Sequence, residues 1–179
     1  MGRLLLVSNV IKYINTDTSQ RHLFYVDGTG RLVTVNASDL NATWGAPTII
    51  TSQTAAPGSP ALAACWSFGN IYGMRVFVGL QGGSVSEYMW DFTLNSTWAP
   101  SETFAQADPS SGVACTMSGN ATDNFVNLYM RDSTTGNLMH KYYDNSTRSS
   151  VPRVGWMTGS YFDICHISIL QDLLTSRQQ

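Results

Sequence analysis

Arg75 and Glu87 are the two residues of this 179-residue chain whose types and spacing point most directly to chemistry. They stand 12 positions apart on either side of the turn segment Gln81-Gly82-Gly83, and a hairpin of that length is expected to bring them back opposite each other. A guanidinium fork beside a carboxylate offers paired donors and acceptors, a combination suited to two neighbouring hydroxyls. Trp90 and Trp98 follow. Trp44 holds the place of Trp98 in an earlier, near-identical peptide, LNATW against LNSTW. An indole face packs well on the apolar face of a sugar ring. The same residues also read as plain sheet structure: a cross-strand Arg–Glu pair contributes roughly 0.2–1 kcal/mol on any sheet, and each tryptophan could be core. Residue type alone leaves both readings open.

The elements that position these residues repeat. Cys65, Cys115 and Cys165 fall 50 residues apart, each inside a short apolar run: ALAACW, GVACTM and FDICHI. Phe24, Phe77 and Tyr129 recur at intervals of 53 and 52 in the strand-like peptides HLFY, RVFV and NLYM. Helical periodicity is nearly absent, while apolar–polar alternation and glycine turns recur throughout. Four strands in about 50 residues, repeated, predict an all-β propeller of four-stranded blades. The repeats run over about 5–58, 59–109 and 110–160, with a closing strand at 161–169 and a tail at 170–179. Leu4–Ile14 is the predicted opening strand, and the fourth strands are expected at Trp44–Ile50, Trp98–Ala105 and near Trp156. About three blades per chain do not close a ring, because closed propellers have about four to eight. The chain is therefore expected to pair with a second copy, a homodimer closing a six-bladed ring, or to belong to a longer molecule.

Composition narrows the function. Charged residues are 12% of the chain and net charge is −2 without a basic cluster, so the electrostatic term that nucleic-acid binding needs is missing. No apolar run approaches the ~20 residues of a membrane-spanning helix. Five Asn-x-Ser/Thr sequons, at Asn36, Asn41, Asn95, Asn120 and Asn145, are compatible with secretion, but the first residues lack a signal-peptide pattern and the compartment stays open. Repeat-equivalent cysteines sit on different blades, which is expected to hold them beyond the ~7 Å reach of a disulfide and leave them as small buried hydrophobes. Zinc-type cysteine and histidine spacing is absent, and no metal or cofactor is expected. HExxH and GxSxG signatures are absent as well. ASDLNATW, residues 37–44, is similar to the Asp-box turn of sialidase propellers but lacks its Ser and Gly. No repeat supplies the two carboxyls ~5 Å apart of a retaining glycosidase, so an enzyme is not expected.

The stretch MRVFVGLQGGSVSEYMWDFTLNSTW, Met74–Trp98, resembles a blade of the fungal fucose-specific lectin family. The end of the preceding strand, Ala63-Ala64-Cys65-Trp66, fits the same pattern. The resemblance implies a six-bladed propeller with fucose held between adjacent blades by an arginine, a glutamate and an aromatic platform. Carried onto this chain, the ligands are Arg75 and Glu87, with Trp98 as platform and Trp44 and Trp90 as alternatives. Repeat one carries His22 and Thr34 at the charged positions. Repeat three carries Asn127 and, after a one-residue insertion, His140. Only repeat two keeps the pair, so at most one pocket of the family's type is expected per chain, and the two histidines read as strand-surface residues. The implied function is a lectin for L-fucose or fucosylated glycans without catalytic residues. A structural or protein-interaction propeller with degenerate sugar sites is the alternative, and a sialidase-like glycosidase a more distant one.

Overall fold

Glycine and aspartate turns divide the chain into short strands, and the turns come first in its architecture. The computed structural model describes residues 10–14, 21–39, 41–51, 55–56, 59–66, 74–91, 97–119, 124–144 and 156–158. The expected closing strand at 161–169, the tail, Cys165 and the sequons at Asn95, Asn120 and Asn145 lie outside those residues. Between the second and third strands, Asp27 Oδ1 accepts the backbone N–H of Thr29 (2.9 Å) and of Arg31 (3.0 Å), and Gly30 takes φ of +81°. The equivalent turn of the third repeat uses Asp132, whose Oδ1 accepts the N–H groups of Thr134 and Thr135, both at 2.8 Å, with Gly136 at φ +72°. The middle repeat turns on Gly82 and Gly83, at φ +102° and +94°, a conformation that only glycine adopts freely.

Among the described residues the chain forms three four-stranded antiparallel meanders. Blade 1 is β1 (Val10–Ile14), β2 (Arg21–Val26), β3 (Leu32–Ala37) and β4 (Thr48–Thr51). Blade 2 is β5 (Leu62–Trp66), β6 (Met74–Leu80), β7 (Ser84–Asp91) and β8 (Thr97–Phe104). Blade 3 is β9 (Ala114–Gly119), β10 (Asn124–Arg131), β11 (Leu138–Asp144) and β12 (Trp156–Thr158). The fourth strand of blade 1 starts later than the Trp44–Ile50 expected from sequence. Asp39 draws the N–H groups of Asn41 and Ala42 into a turn (2.8 Å each), and Gly45 donates to the Asn36 carbonyl at 2.8 Å, which keeps Trp44 in a loop.

The innermost strands β1, β5 and β9 are neighbours in that order, and the sheets stack face to face around them. Strand β6 (MRVFVGL) reads as a nearly unbroken apolar run because both of its faces are covered. Val76 and Val78 join Phe24 and Leu32 of blade 1 in one cluster, with Met74 and Tyr88. Phe77 turns the other way, with Val85 and Phe104, onto Val126, Leu128 and Met130 of blade 3. The inter-blade connectors repeat too: Ala55 bridges Leu80 and Ala107 bridges Asp132, each pair shifted by 52 residues, and both alanines are fully buried.

Cys65 on β5 and Cys115 on β9 are free thiols packed at the core shared by blades 2 and 3, Cys65 buried and Cys115 half-buried, in keeping with the small hydrophobes expected from sequence. The hydrogen bond to Cys65, then burial, then the nearby charges of Cys65 and Glu87 push the Cys115 thiol well above its usual range.

Candidate functional site

Strand register decides which candidates meet. On blade 2, Arg75 pairs with Met89 and Phe77 pairs with Glu87. Arg75 and Glu87 are therefore diagonal neighbours on one sheet face rather than direct partners, because the tight turn closes the hairpin at Leu80 and Ser84. The diagonal is within reach of long side chains, and the two form an ion pair from Arg75 Nη1 to Glu87 Oε1. Both are buried, at 3% and 0% exposure, and Arg75 Nε has no hydrogen-bond partner. Tyr143 of blade 3 lies over the guanidinium, 4.5 Å from ring centroid to Cζ. The pair thus faces blade 3.

Trp90 and Trp98 are cross-strand partners on the opposite face. Their rings meet edge-on at 5.5 Å, and Trp98 meets Phe24 of blade 1 edge-on at 5.7 Å. The sheet therefore divides the sequence candidates between two clefts: Arg75 and Glu87 look toward blade 3, Trp90 and Trp98 toward blade 1. Residues of odd and even number on one strand point to opposite faces, and no side-chain rotation joins them in one pocket. Trp44 belongs to neither cleft. It is 41% exposed beneath the Arg21 guanidinium, 4.8 Å from its ring centroid.

The same diagonal recurs in each blade. Phe24 pairs with Thr34, which sets His22 against Thr34 as Arg75 is set against Glu87. Tyr129 pairs with His140, which sets Asn127 against His140, and His140 Nε2 lies 3.0 Å from Asn127 Oδ1. His140 also stacks on Tyr129 at 4.7 Å. His22 is not a strand-surface residue. It is 7% exposed, stacked on Phe24 at 6.1 Å, and burial lowers its pKa from 6.5 and favours the neutral ring. Its Nε2 and the Oγ1 of the equally buried Thr34 have no hydrogen-bond partner. A cavity of about 200 Å³ opens there, lined by His22, Thr34, Asn36 and Thr48 on blade 1 and Met74, Trp90 and Trp98 on blade 2.

Three meanders stacked about a common axis, with a polar diagonal on one blade facing an aromatic of the next, define a β-propeller with clefts between its blades. The chain resembles the SapL1 lectin solved with alpha methyl fucoside (TM-score 0.64, 22% identity), over 84% of this chain and 45% of that one. The six-bladed lectin of Aleuria aurantia gives a TM-score of 0.57 at 20% identity, over 84% and 47%. A fucose lectin from Kordia zhangzhouensis, solved with methyl-fucoside, gives 0.56 at 16% identity, over 86% of this chain and 99% of that one. This chain thus spans about half the length of the first of these relatives. No curated protein matches the sequence. The family model described as fungal fucose-specific lectin matches residues 10–161, and the chain belongs to that family.

Sequence reasoning missed Tyr143, the aromatic that actually faces Arg75. The signal was present: Tyr143 follows His140 by three positions, as Trp90 follows Glu87. Applying the repeat offset to the next blade, rather than to the same blade, finds it.

Proposed function

We propose that the chain is a non-catalytic lectin that binds L-fucose or a fucosylated glycan end in the cleft between blades 2 and 3. The observation that carries this reading is the buried Arg75–Glu87 pair, turned toward Tyr143 and holding an Nε donor without a partner. A guanidinium and a carboxylate together can donate to one sugar hydroxyl and accept from its neighbour. Tyr143, not Trp98, supplies the aromatic wall of this cleft. Its ring must move off the guanidinium to admit a sugar, giving up a cation–π contact of roughly 0.5–2 kcal/mol, which keeps the monosaccharide affinity modest. Family membership and the resemblance to lectins solved with fucosides support the choice of sugar.

The reading extends to assembly. Blade 3 presents the Asn127–His140 diagonal on the face turned away from blade 2, and Arg21 and Trp44 lie on the face of blade 1 turned away from blade 2. Two copies stacked by the same blade-to-blade contacts would close a six-bladed ring, and light scattering would then report twice the 19.6 kDa chain mass. Calorimetric titration with methyl α-L-fucoside tests the sugar site. The wild type should bind, and the volume-matched double variant R75M/E87Q, folded by circular dichroism, should not. Equal affinity in both would overturn the assignment. Binding by neither would return the chain to a scaffold role.

A further inference from the structure

Two thiols face each other across the seam between blades 2 and 3. Cys65 on β5 pairs in register with Arg75 of β6, and Cys115 on β9 pairs with Leu128 of β10. Direct partners in an antiparallel sheet share a face. Arg75 looks toward blade 3 and Leu128 toward blade 2, so each cysteine points at the other's blade. Strands β5 and β9 are neighbours, and Cys115 packs on the apolar cluster that contains Cys65. Both thiols are free, and a side-chain hydrogen bond joins them. A thiol is a weak donor and a weak acceptor, so that contact alone does little to hold two blades together. Among the described residues no group of three or more His, Cys, Asp or Glu could hold a metal ion, and the two thiols have each other as reaction partners.

We infer that Cys65 and Cys115 are a disulfide-forming site, closed by exchange with a low-molecular-weight disulfide, which ties the inner strand of blade 2 to that of blade 3. The half-buried Cys115 loses its proton first, and its thiolate attacks one sulfur of the small disulfide. A bond forms to Cys115 Sγ as the small disulfide breaks, and one small thiolate leaves and takes up a proton. Cys65 then loses its proton and attacks Cys115 Sγ, displacing the second small thiolate, which is protonated in turn. Two cysteine thiols are oxidised, and one small disulfide is reduced to two thiols. Burial and the nearby Glu87 charge oppose a thiolate at Cys115, so the exchange is slow in the folded chain and proceeds as the blades come together. The product carries no ionisable proton and no charge for Glu87 to oppose. It closes a loop of 50 residues, the sequence separation of the two cysteines, and a cross-link of that span stabilises chiefly by restricting the unfolded chain.

The test refolds the whole chain from urea at pH 8 in a mixture of reduced and oxidised glutathione, beside a sample refolded in reduced glutathione alone. Free thiols are then trapped by alkylation, and the peptides are mapped by mass spectrometry. The first sample should contain the Cys65 and Cys115 peptides linked, lighter by two hydrogen atoms than their reduced sum. Its Tm should exceed that of the reduced sample by roughly 4–16 °C. Cys165→Ala should keep both the link and the Tm difference. Cys115→Ala should lose both, and Cys115→Val, which fills the space of the thiol, serves where alanine leaves the chain unfolded. Alkylation of Cys65 and Cys115 in the sample refolded with oxidised glutathione overturns the proposal. So does linkage of either to Cys165 or to a second chain, or a linked chain that melts no higher than the reduced one.

Discussion

Replacing Arg75 with methionine separates what the ion pair does for folding from what it does for binding. Methionine keeps most of the volume and removes the charge. Glu87, at 0% exposure, would then keep its carboxylate in a low-dielectric interior after losing the guanidinium. Removing one member of a buried pair costs about 3–5 kcal/mol, whereas replacing both with neutral groups of similar shape is often neutral or stabilising by ~1–4 kcal/mol. For a chain of this size ~1 kcal/mol moves the melting temperature by about 2–4 °C. Arg75→Met should therefore lower Tm by roughly 6–20 °C, and the added E87Q should restore most of that loss. Thermal unfolding followed by circular dichroism at pH 7 reads both. A surface pair, as the hairpin spacing alone suggests, is worth well under ~1 kcal/mol, so the two positions of the pair predict different results. A single variant melting within about 2 °C of wild type would refute the burial argument. So would a double variant as unstable as the single one.

Three further outcomes follow from the fold. Asp27 has its pKa held below the ordinary 3.8: burial alone would raise it, but hydrogen bonds from Arg31 and Thr29 outweigh that effect. Its stabilising contribution is therefore full above the unfolded value and lost as pH falls below about 4; wild-type Tm should drop more steeply in acid than that of Asp27→Asn, and parallel curves would contradict this. A Cβ on Gly79 would lie 2.6 Å from Ser59 Oγ and 3.0 Å from the Cβ atoms of Ala61 and Pro109, so Gly79→Ala should cost about 1–3 kcal/mol of overpacking, read as a lowered urea midpoint. Cys115, whose thiol is raised by its hydrogen bond to Cys65 and by burial, should react with a thiol reagent at pH 8 far more slowly in the native protein than in urea; equal rates would contradict the raised thiol.

The repeat, the hairpins and the nearness of Arg75 to Glu87 were legible because each depends on local sequence: glycine at positive φ, alternation, and a fixed offset from one blade to the next; the direct opposition expected of the pair is instead a diagonal. What was not legible depends on the stacking of sheets. Sequence spacing put Trp98 with Arg75 because both belong to one repeat, but the pleat sends them to opposite faces. Sheet order also places Cys65 and Cys115, since β5 and β9, which begin 52 residues apart at Leu62 and Ala114, become neighbours. His22 looked like a surface residue for the same reason. Nothing in HLFY shows that the second blade's tryptophans will cover it.

The three diagonals show how one scaffold can carry different chemistry. Register is conserved from blade to blade, so each diagonal sits in the same geometric setting, and only the residue types change: His with Thr, Arg with Glu, Asn with His. The pair that satisfies itself internally is the least available to a ligand. Asn127 and His140 already share a hydrogen bond, and Arg75 and Glu87 neutralise each other beneath Tyr143. His22 and Thr34 satisfy neither partner and stand at an open cavity. Under the proposed function, a ligand at the cleft between blades 2 and 3 must therefore compete with an existing ion pair and a stacked ring. Under that reading the cleft would gain specificity from the competition, because only a ligand matching both donor and acceptor compensates for what it disrupts.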